Sequence, residues 1–249
     1  MSGVSRAVGE GVDPPRTARQ GEPTAGALSA YFVPPEARGR TTEAVTEALR
    51  EAILDGVLAP STWLREDMLA EIFEVSRTPV REALRRLADE GLMIKTAHHG
   101  TVVAGLSLED ILALYIVREN LEGLAARLAA ARRPGSLITK LESVQSAMRR
   151  NAERGDDQRL VQQNLEFHRI IREAAGNPYL DRFLTQVEQA VRRLPGSTLT
   201  QPGRPEGMLL EHEAILDAIR TGNGEEAERS AKAHMRRARE IRLSALLGH

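Results

Sequence analysis

The fold of this chain is decided by the stretch Val75-Ser76-Arg77-Thr78-Pro79-Val80-Arg81-Glu82-Ala83-Leu84. Ser76 is a favourable N-cap, because its short polar side chain can accept a hydrogen bond from the first turn of a helix. Pro79 would lie in that first turn, where a missing N–H group costs little. The stretch therefore predicts the start of a helix.

Two strips of side chains run along this predicted helix. At about 100° per residue, Arg77, Arg81 and Arg85 share one strip. The second strip consists of apolar side chains, which can pack into a small core while the arginines stay exposed. Arginine reads guanine edges in a DNA major groove, and Thr78 or backbone N–H groups can hold phosphate. DNA recognition is one interpretation, and a surface helix with solvated charges is the other. The apolar strip consists of Val80, Ala83, Leu84 and Leu87.

The segments around this helix resemble the DNA-binding domain of the GntR family of bacterial transcription regulators. The stretch 75–84 is similar to that family's recognition helix, residues 48–56 to its first helix and residues 64–73 to its second. Glu90-Gly91-Leu92, followed by residues 99–103, is similar to its wing. The resemblance implies a winged helix-turn-helix domain over residues 39–105, bound to a pseudo-palindromic DNA operator as a homodimer. Residues 1–38 are rich in Gly, Pro, Ala, Ser and Arg, and we expect a disordered tail there.

The resemblance also implies which residues of this domain touch DNA. Arg77, Thr78, Arg81 and Arg85 would face the major groove, and the wing tip would reach the minor groove with His99 and Gly100. A plain hairpin with exposed histidines is the alternative for the wing. Ser61 departs from the Pro-Gly that the family usually has in the turn before the second helix. The predicted elements are helices at 42–55, 66–73 and from 77 to near 91, and strands at 92–95 and 101–104.

Composition limits the classes of protein to which the chain can belong. It has 249 residues, of which 41% are hydrophobic and only 3% aromatic, so an aliphatic core is expected. Cysteine is absent, which excludes disulfides and thiolate metal sites and fits a reducing, cytoplasmic compartment. No apolar run approaches the ~20 residues that span a bilayer. With a net charge of −1, nucleic-acid binding must rely on a local basic face.

The second half of the chain shows a helical pattern throughout. Gly105-Leu106-Ser107 is a short linker, and Ser107 can cap a helix whose first turn contains Glu109 and Asp110. Glycine, asparagine and proline residues separate the later helices, and we expect the loop 196–205 to be the least ordered part. The fold class is thus mainly α, with a helical bundle over residues 106–249. Its predicted helices run to 132 and then over 136–153, 156–175, 178–194, 207–221 and 224–247.

Three of the six histidines fall on the apolar faces of three different helices in this bundle: His168, His212 and His234. A buried histidine is often a hydrogen-bonded core residue, and a dry core with three such residues is one interpretation. Helix bundles also place inward-facing ligands from separate helices around a metal ion. Neutral imidazole suits zinc, nickel, iron or copper, and an oxygen ligand can complete such a site.

This half of the chain resembles the FCD effector-binding domain of the FadR subgroup of GntR regulators. That subgroup often binds a divalent metal through an Asp-x-x-x-His pair and two later histidines. On this sequence the pair falls on Asn164 and His168, and the later ligands on His212 and His234. The resemblance implies zinc or nickel as the cofactor. Asn164 departs from the pattern, and its neutral amide oxygen is a weaker ligand that would favour an anionic effector.

Arg118 and Glu122 also fall on an apolar helix face. A buried guanidinium needs a partner, and its planar shape suits a carboxylate. Glu122, four residues on, is one partner, although Arg before Glu is the less favourable order on a helix. The resemblance implies instead that Arg118, with Glu122 beside it, binds the carboxylate of a small organic acid effector.

Three functions follow from these patterns. The first is a DNA-binding regulator, a repressor that a small carboxylate bound beside the metal releases from its operator, and not an enzyme. The second is a helical metalloenzyme that uses the histidines, although no His-Glu-x-x-His motif or obvious general base accompanies them. The third is a helical adaptor for protein partners, which gives no reason for the arginine helix.

Overall fold

The computed structural model describes residues 25–32, 34, 39–96, 100–194 and 196–248. The chain divides into two compact units, one of residues 1–49 and 58–104 and one of residues 50–57 and 105–249. The described part is mainly helical, as the sequence predicts. None of its helices is long and apolar enough to cross a membrane.

The first unit contains the three predicted helices and a small sheet. The elements are α1 (Ala25–Ser29), α2 (Thr41–Leu54, whose last turn belongs to the second unit), β1 (Trp63–Leu64), α3 (Glu66–Ile72), α4 (Arg77–Asp89), β2 (Met93–Thr96) and β3 (Gly100–Val103). The sheet is antiparallel with the order β1-β3-β2, and its register pairs Trp63 with Val102 and Met93 with Val103. The sequence pattern did not predict β1, because two residues are too few to show an alternation.

The two strips predicted for α4 are confirmed. Its apolar residues Val80, Ala83, Leu84 and Leu87 are all buried, with at most 4% of their surface exposed. Arg77, Arg81 and Arg85 are exposed. Ser76 occupies the N-cap position in an extended conformation, but its side chain makes no capping hydrogen bond. The helix thus presents its arginines to solvent, as the DNA-binding interpretation requires.

Part of the expected tail packs against the first unit. The helix α1 lies inside the segment 1–38, and Leu28 on it has no exposed surface. The ring of Phe32 lies 5.0 Å from that of Phe73, at the end of α3. The disordered tail that we expect therefore does not extend through residues 25–32. A helix of five residues is too short to produce a periodic pattern in the sequence.

The turn before β1 keeps a glycine-type conformation without a glycine. Ser61 has a φ of +67°, in the left-handed region, where a residue with a Cβ atom is strained by about 1–2 kcal/mol. Its backbone N–H donates to the carbonyl of Val103 at 2.9 Å, which ties the turn to β3. The turn is therefore strained because Ser61 departs from the usual Pro-Gly. It still hydrogen-bonds to the sheet.

Most of the described part of the second unit consists of the α-helices α5 (Leu108–Arg132), α6 (Leu137–Arg154), α7 (Asp157–Ala175), α8 (Pro178–Arg192), α9 (Arg204–Thr221) and α10 (Gly224–Leu247). Their bounds agree with the predicted ones to within three residues. The cap of α5 is a capping box, in which the Ser107 hydroxyl accepts from the backbone of Asp110 and the Asp110 carboxylate accepts from that of Ser107.

The loop between α8 and α9 is more ordered than we expect from its composition. A short 3-10 helix spans Thr198–Thr200, and Leu199 is buried in the main apolar cluster of the second unit. The helix α9 begins at Arg204, three residues earlier than predicted, with Pro205 in its first turn. This early start matters for the site, because the side chain of Arg204 is buried.

Candidate functional site

Two arginines of the α4 strip, Arg81 and Arg85, are ion-paired. The guanidinium of Arg81 donates to the Glu66 carboxylate of α3, with N–O distances of 2.8 to 3.1 Å. Arg85 pairs with Glu82 at 2.6 Å and with Asp89 at 3.1 Å along its own helix. Arg85 holds the pKa of Glu82 at about 2. These pairs are exposed, and exposed pairs are weak because water and salt screen them, so the arginines can exchange them for another anion.

The structure describes some of the other residues predicted to contact DNA, but not all of them. Thr78 lies exposed in the first turn of α4, next to Arg77. Gly100 is the first residue of β3 and is paired with Thr96 across the hairpin. His99 lies outside the described residues.

The three predicted histidines meet inside the second unit. His168 of α7, His212 of α9 and His234 of α10 are 7%, 0% and 4% exposed. One ring nitrogen from each lies within 4.8 Å of the others. Their ring centroids are 4.7 to 5.3 Å apart. Apolar positions on three separate helices thus place three imidazoles around one point, as the sequence predicts.

Several polar atoms at this point are buried without a hydrogen-bond partner among the described residues. They are Nε2 of His168, both ring nitrogens of His212 and Oδ1 of Asn164, one turn before His168 on α7. A buried polar atom without a partner costs about 1–3 kcal/mol, so three such imidazole nitrogens in one cluster, with a fourth such atom one helical turn away, are not explained by a dry core. All four are atom types that bind divalent metals. The residues present therefore fit a metal ion.

Burial keeps two of these imidazoles in the form that binds metal. It lowers the pKa of His212 well below the usual value, and the neighbouring histidines and Arg204 add to that effect. Burial also lowers the pKa of His234 to about 4, against the opposing attraction of Glu211. His212 stacks on Phe167, with centroids 4.0 Å apart and an interplanar angle of 3°. Neutral imidazoles are ready ligands near neutral pH, because no proton must leave first.

Arg118 and Glu122 of α5 are buried at the edge of the histidine cluster. Nε of Arg118 lies 3.6 Å from Oε1 of Glu122, and Nδ1 of His168 lies 3.5 Å from Oε2. Burial alone would raise the pKa of Glu122, but His168 and Arg118 outweigh it and hold that pKa at about 2. The intrahelical partner of Arg118 is thus present, and Glu122 connects this arginine to a candidate ligand.

Sequence reasoning missed two charged residues beside the cluster. Glu211 precedes His212 on α9, and its Oε2 lies 2.6 Å from Nδ1 of His234. Arg204, 5% exposed, donates two hydrogen bonds to the same carboxylate. A signal was available, because residues seven apart on a helix share a face. The sequence pattern predicts that α9 begins at residue 207, which leaves Arg204 outside the helix, whereas the helix begins at Arg204.

Comparison with known proteins identifies both units. Residues 41–103 match the bacterial regulatory proteins of the gntR family, and residues 113–237, half of the chain, match the FCD domain. The chain belongs to the GntR family. It is 32% identical over 209 residues to a "probable D-xylose utilization operon transcriptional repressor" of Paenarthrobacter nicotinovorans, covering 79% of this chain and 87% of that one.

Other GntR proteins are similar over comparable lengths. The HTH-type transcriptional regulator YdhC of Bacillus subtilis (strain 168) is 28% identical over 187 residues, which are 75% of this chain and 84% of YdhC. The structure of Escherichia coli McbR/YncC covers 83% of this chain and 98% of its own, with a TM-score of 0.67 and 21% identity, and so supports the fold. The chain is therefore a GntR transcription regulator with an FCD domain, and not an enzyme.

Proposed function

We propose that the protein is a homodimeric repressor of the FadR subgroup, which a small carboxylate releases from a pseudo-palindromic operator after binding beside a divalent metal. The observation that carries this proposal is the buried cluster of His168, His212 and His234 inside the FCD domain of a DNA-binding regulator. Among the described residues, one ring nitrogen of His168 and both of His212 have no hydrogen-bond partner. A buried ligand site in the sensing domain gives an effector a place from which to change DNA affinity.

The helix α4 is proposed to enter the major groove of the operator. Arg77, Thr78, Arg81 and Arg85 are exposed along it, and the wing would add His99 and Gly100 in the minor groove. A bidentate contact to guanine O6 and N7 is the use of arginine that fits this placement. Glu66 is paired with Arg81, so DNA must compete with that carboxylate.

Arg81→Ala is expected to weaken operator binding roughly 10- to 100-fold, the effect of losing one bidentate base contact. Glu66→Gln is the matched control, because it removes the competing carboxylate and should leave binding equal or tighter. Fluorescence anisotropy on operator and scrambled duplexes would measure both variants. Equal affinity of Arg81→Ala and wild type for the operator would remove Arg81 from the reading face.

His168, His212 and His234 are the proposed metal ligands, with Asn164 as the oxygen ligand. A divalent ion bound there would supply positive charge and open coordination positions for a carboxylate. The three imidazoles and the amide are all neutral ligands, so they do not compensate the charge of the ion. This set should bind metal more weakly than one with Asp, and it should prefer an anionic effector.

Arg118 and Glu122 are proposed to hold and orient the effector. The Arg118–Glu122 pair is 3.6 Å long, beyond hydrogen-bond length, whereas Arg204 and Glu211 lie at 2.6 Å. The guanidinium of Arg118 is thus not committed to a short bidentate bond with Glu122. An incoming carboxylate can take that bond, and Glu122 meanwhile stays beside His168.

The proposal of repression is supported by the name of a relative, and the proposal of a dimer by the geometry of the operator. The Paenarthrobacter relative is named as a repressor. Two recognition helices are needed to bind the two half-sites of a pseudo-palindromic operator, which a two-fold symmetric dimer supplies. Effector binding would act by shifting the population of dimers whose helices match the half-site spacing.

A thermal-shift screen of organic acids, with and without Ni²⁺ or Zn²⁺, tests the sensing role. The proposal expects at least one acid to raise the melting temperature only when metal is present, because binding to the folded state alone stabilises it. The same acid should lower operator affinity. Stabilisation that does not depend on metal, or that leaves operator affinity unchanged, would contradict the proposed sensor.

A further inference from the structure

Two networks of charged side chains lead to the histidine cluster. The first, described above, reaches His168 through Glu122. The second begins at Arg204, passes through Glu211 and ends at His234. Among the residues to which the proposed function gives a role, the second network is hydrogen-bonded to His234.

The second network is short, and its two ends, Arg204 and His234, are buried, whereas the side chain of Glu211 is 25% exposed. Nη1 and Nη2 of Arg204 donate to the two oxygens of Glu211 at 2.6 and 2.8 Å, in the bidentate arrangement that fixes a carboxylate in place. The Arg204 side chain is 4% exposed. Oε2 of Glu211 then lies 2.6 Å from Nδ1 of His234. Each contact is within the range of a charge-assisted hydrogen bond.

This geometry decides which ring nitrogen of His234 carries the proton. A carboxylate held by a guanidinium is ionised and can only accept, so Nδ1 of His234 must be the N–H donor. In a neutral imidazole the other nitrogen then has the free lone pair, and that nitrogen is Nε2. The ring cannot turn over without losing the bond to Glu211.

We propose that Arg204 and Glu211 are positioning residues of the metal centre, which fix His234 as an Nε2 ligand. This inference rests on the proposed metal site. Carboxylates that orient metal-bound histidines commonly affect metal affinity 10- to 100-fold, roughly, when they are removed. Among the described residues, no carboxylate is hydrogen-bonded to His212, which stacks on Phe167 instead. Loss of Glu211 should therefore change the behaviour of His234 specifically.

Glu211→Gln tests the inference, and Glu213→Gln is its matched control. Glu213 lies two residues further on α9, on the other side of His212 in sequence, and its carboxylate pairs with exposed Arg149 at 3.6 Å. Isothermal titration with Ni²⁺ should show roughly 10- to 100-fold weaker binding for Glu211→Gln and no change for Glu213→Gln. Thermal melting would establish that both variants fold.

The second measurement is nitrogen-15 NMR of metal-free protein labelled at histidine. It reports the tautomer of His234, which would not change if Glu211 had only a structural role. Wild type should show His234 with its proton on Nδ1, assigned by its loss in His234→Gln. Glu211→Gln should show a mixture of tautomers, because the amide can donate to Nδ1 as well as accept from it. Arg204→Lys, which keeps the charge but not the bidentate bond, should fall between.

Wild-type Ni²⁺ affinity and an unchanged His234 tautomer in Glu211→Gln would overturn the inference. If Glu211→Gln does not fold, Arg204→Lys takes its place with the same two readings and the same criterion. If wild type binds no metal, the proposed metal site is wrong, and so is the inference that Arg204 and Glu211 position a metal ligand. The tautomer result would then show separately whether Glu211 orients His234.

Discussion

His212→Ala is expected to remove nearly all metal from the purified protein. His212 has no exposed surface, and both of its ring nitrogens lack a hydrogen-bond partner among the described residues. Loss of a direct ligand should cost more than the roughly 10- to 100-fold that loss of an outer partner costs. Elemental analysis after loading with Ni²⁺ or Zn²⁺ and dialysis would show about one ion per chain in wild type, for the single proposed site, and almost none in the variant.

The control for this experiment is Leu216→Ala, one turn further along α9. Leu216 is 1% exposed and belongs to the main apolar cluster, so its truncation also leaves a cavity but removes no ligand. It should melt at a lower temperature and keep its metal. Equal metal content in His212→Ala and wild type would refute the site and restore the interpretation of a core with three buried histidines.

Arg118→Ala should abolish the response to the effector and leave operator binding intact. Arg118 is 9% exposed and lies beside Glu122, which contacts His168. An acid found in the thermal-shift screen should release wild-type protein from the operator and should leave Arg118→Ala bound at the same concentration. The expected change is the loss of the whole response, because a buried carboxylate without its guanidinium partner is strongly disfavoured.

Arg127→Ala is the matched control on the same helix, because Arg127 is exposed and pairs with Glu228 at 3.3 Å. It should respond to the acid as wild type does. A normal response in Arg118→Ala would show that Arg118 serves only its intrahelical pair with Glu122. Weaker operator binding without any acid would show instead that the substitution disturbs the fold.

Local signals explain why so much of the fold could be predicted. Ser107 caps α5 as expected, with Asp110 in its first turn, and Asn177-Pro178 begins α8. The buried face of α4 follows directly from the helical period. The histidine cluster could be predicted for the same reason, since each histidine lies on the apolar face of its own helix and those faces must meet in one core.

Contacts between distant segments explain what could not be predicted. The pairing of Arg81 with Glu66 joins two helices, and neither helix alone indicates it. Leu28 is buried although it lies on a helix that is too short to show a periodic pattern. The Arg204–Glu211–His234 network forms because α9 begins at Arg204 and because α10 packs beside α9. Both features depend on packing between segments that are distant in sequence.

Methylation interference on the DNA upstream of the gene tests the central claim most directly, because it reports on guanine N7 in the major groove. The full-length wild-type chain should be blocked by methylated guanines in two clusters about one helical turn, or a multiple of it, apart. Arg77→Ala or Arg81→Ala should lose sensitivity at one guanine in each cluster. Binding that is indifferent to guanine methylation, or a pattern that both variants leave unchanged, would contradict the claim that α4 reads the operator.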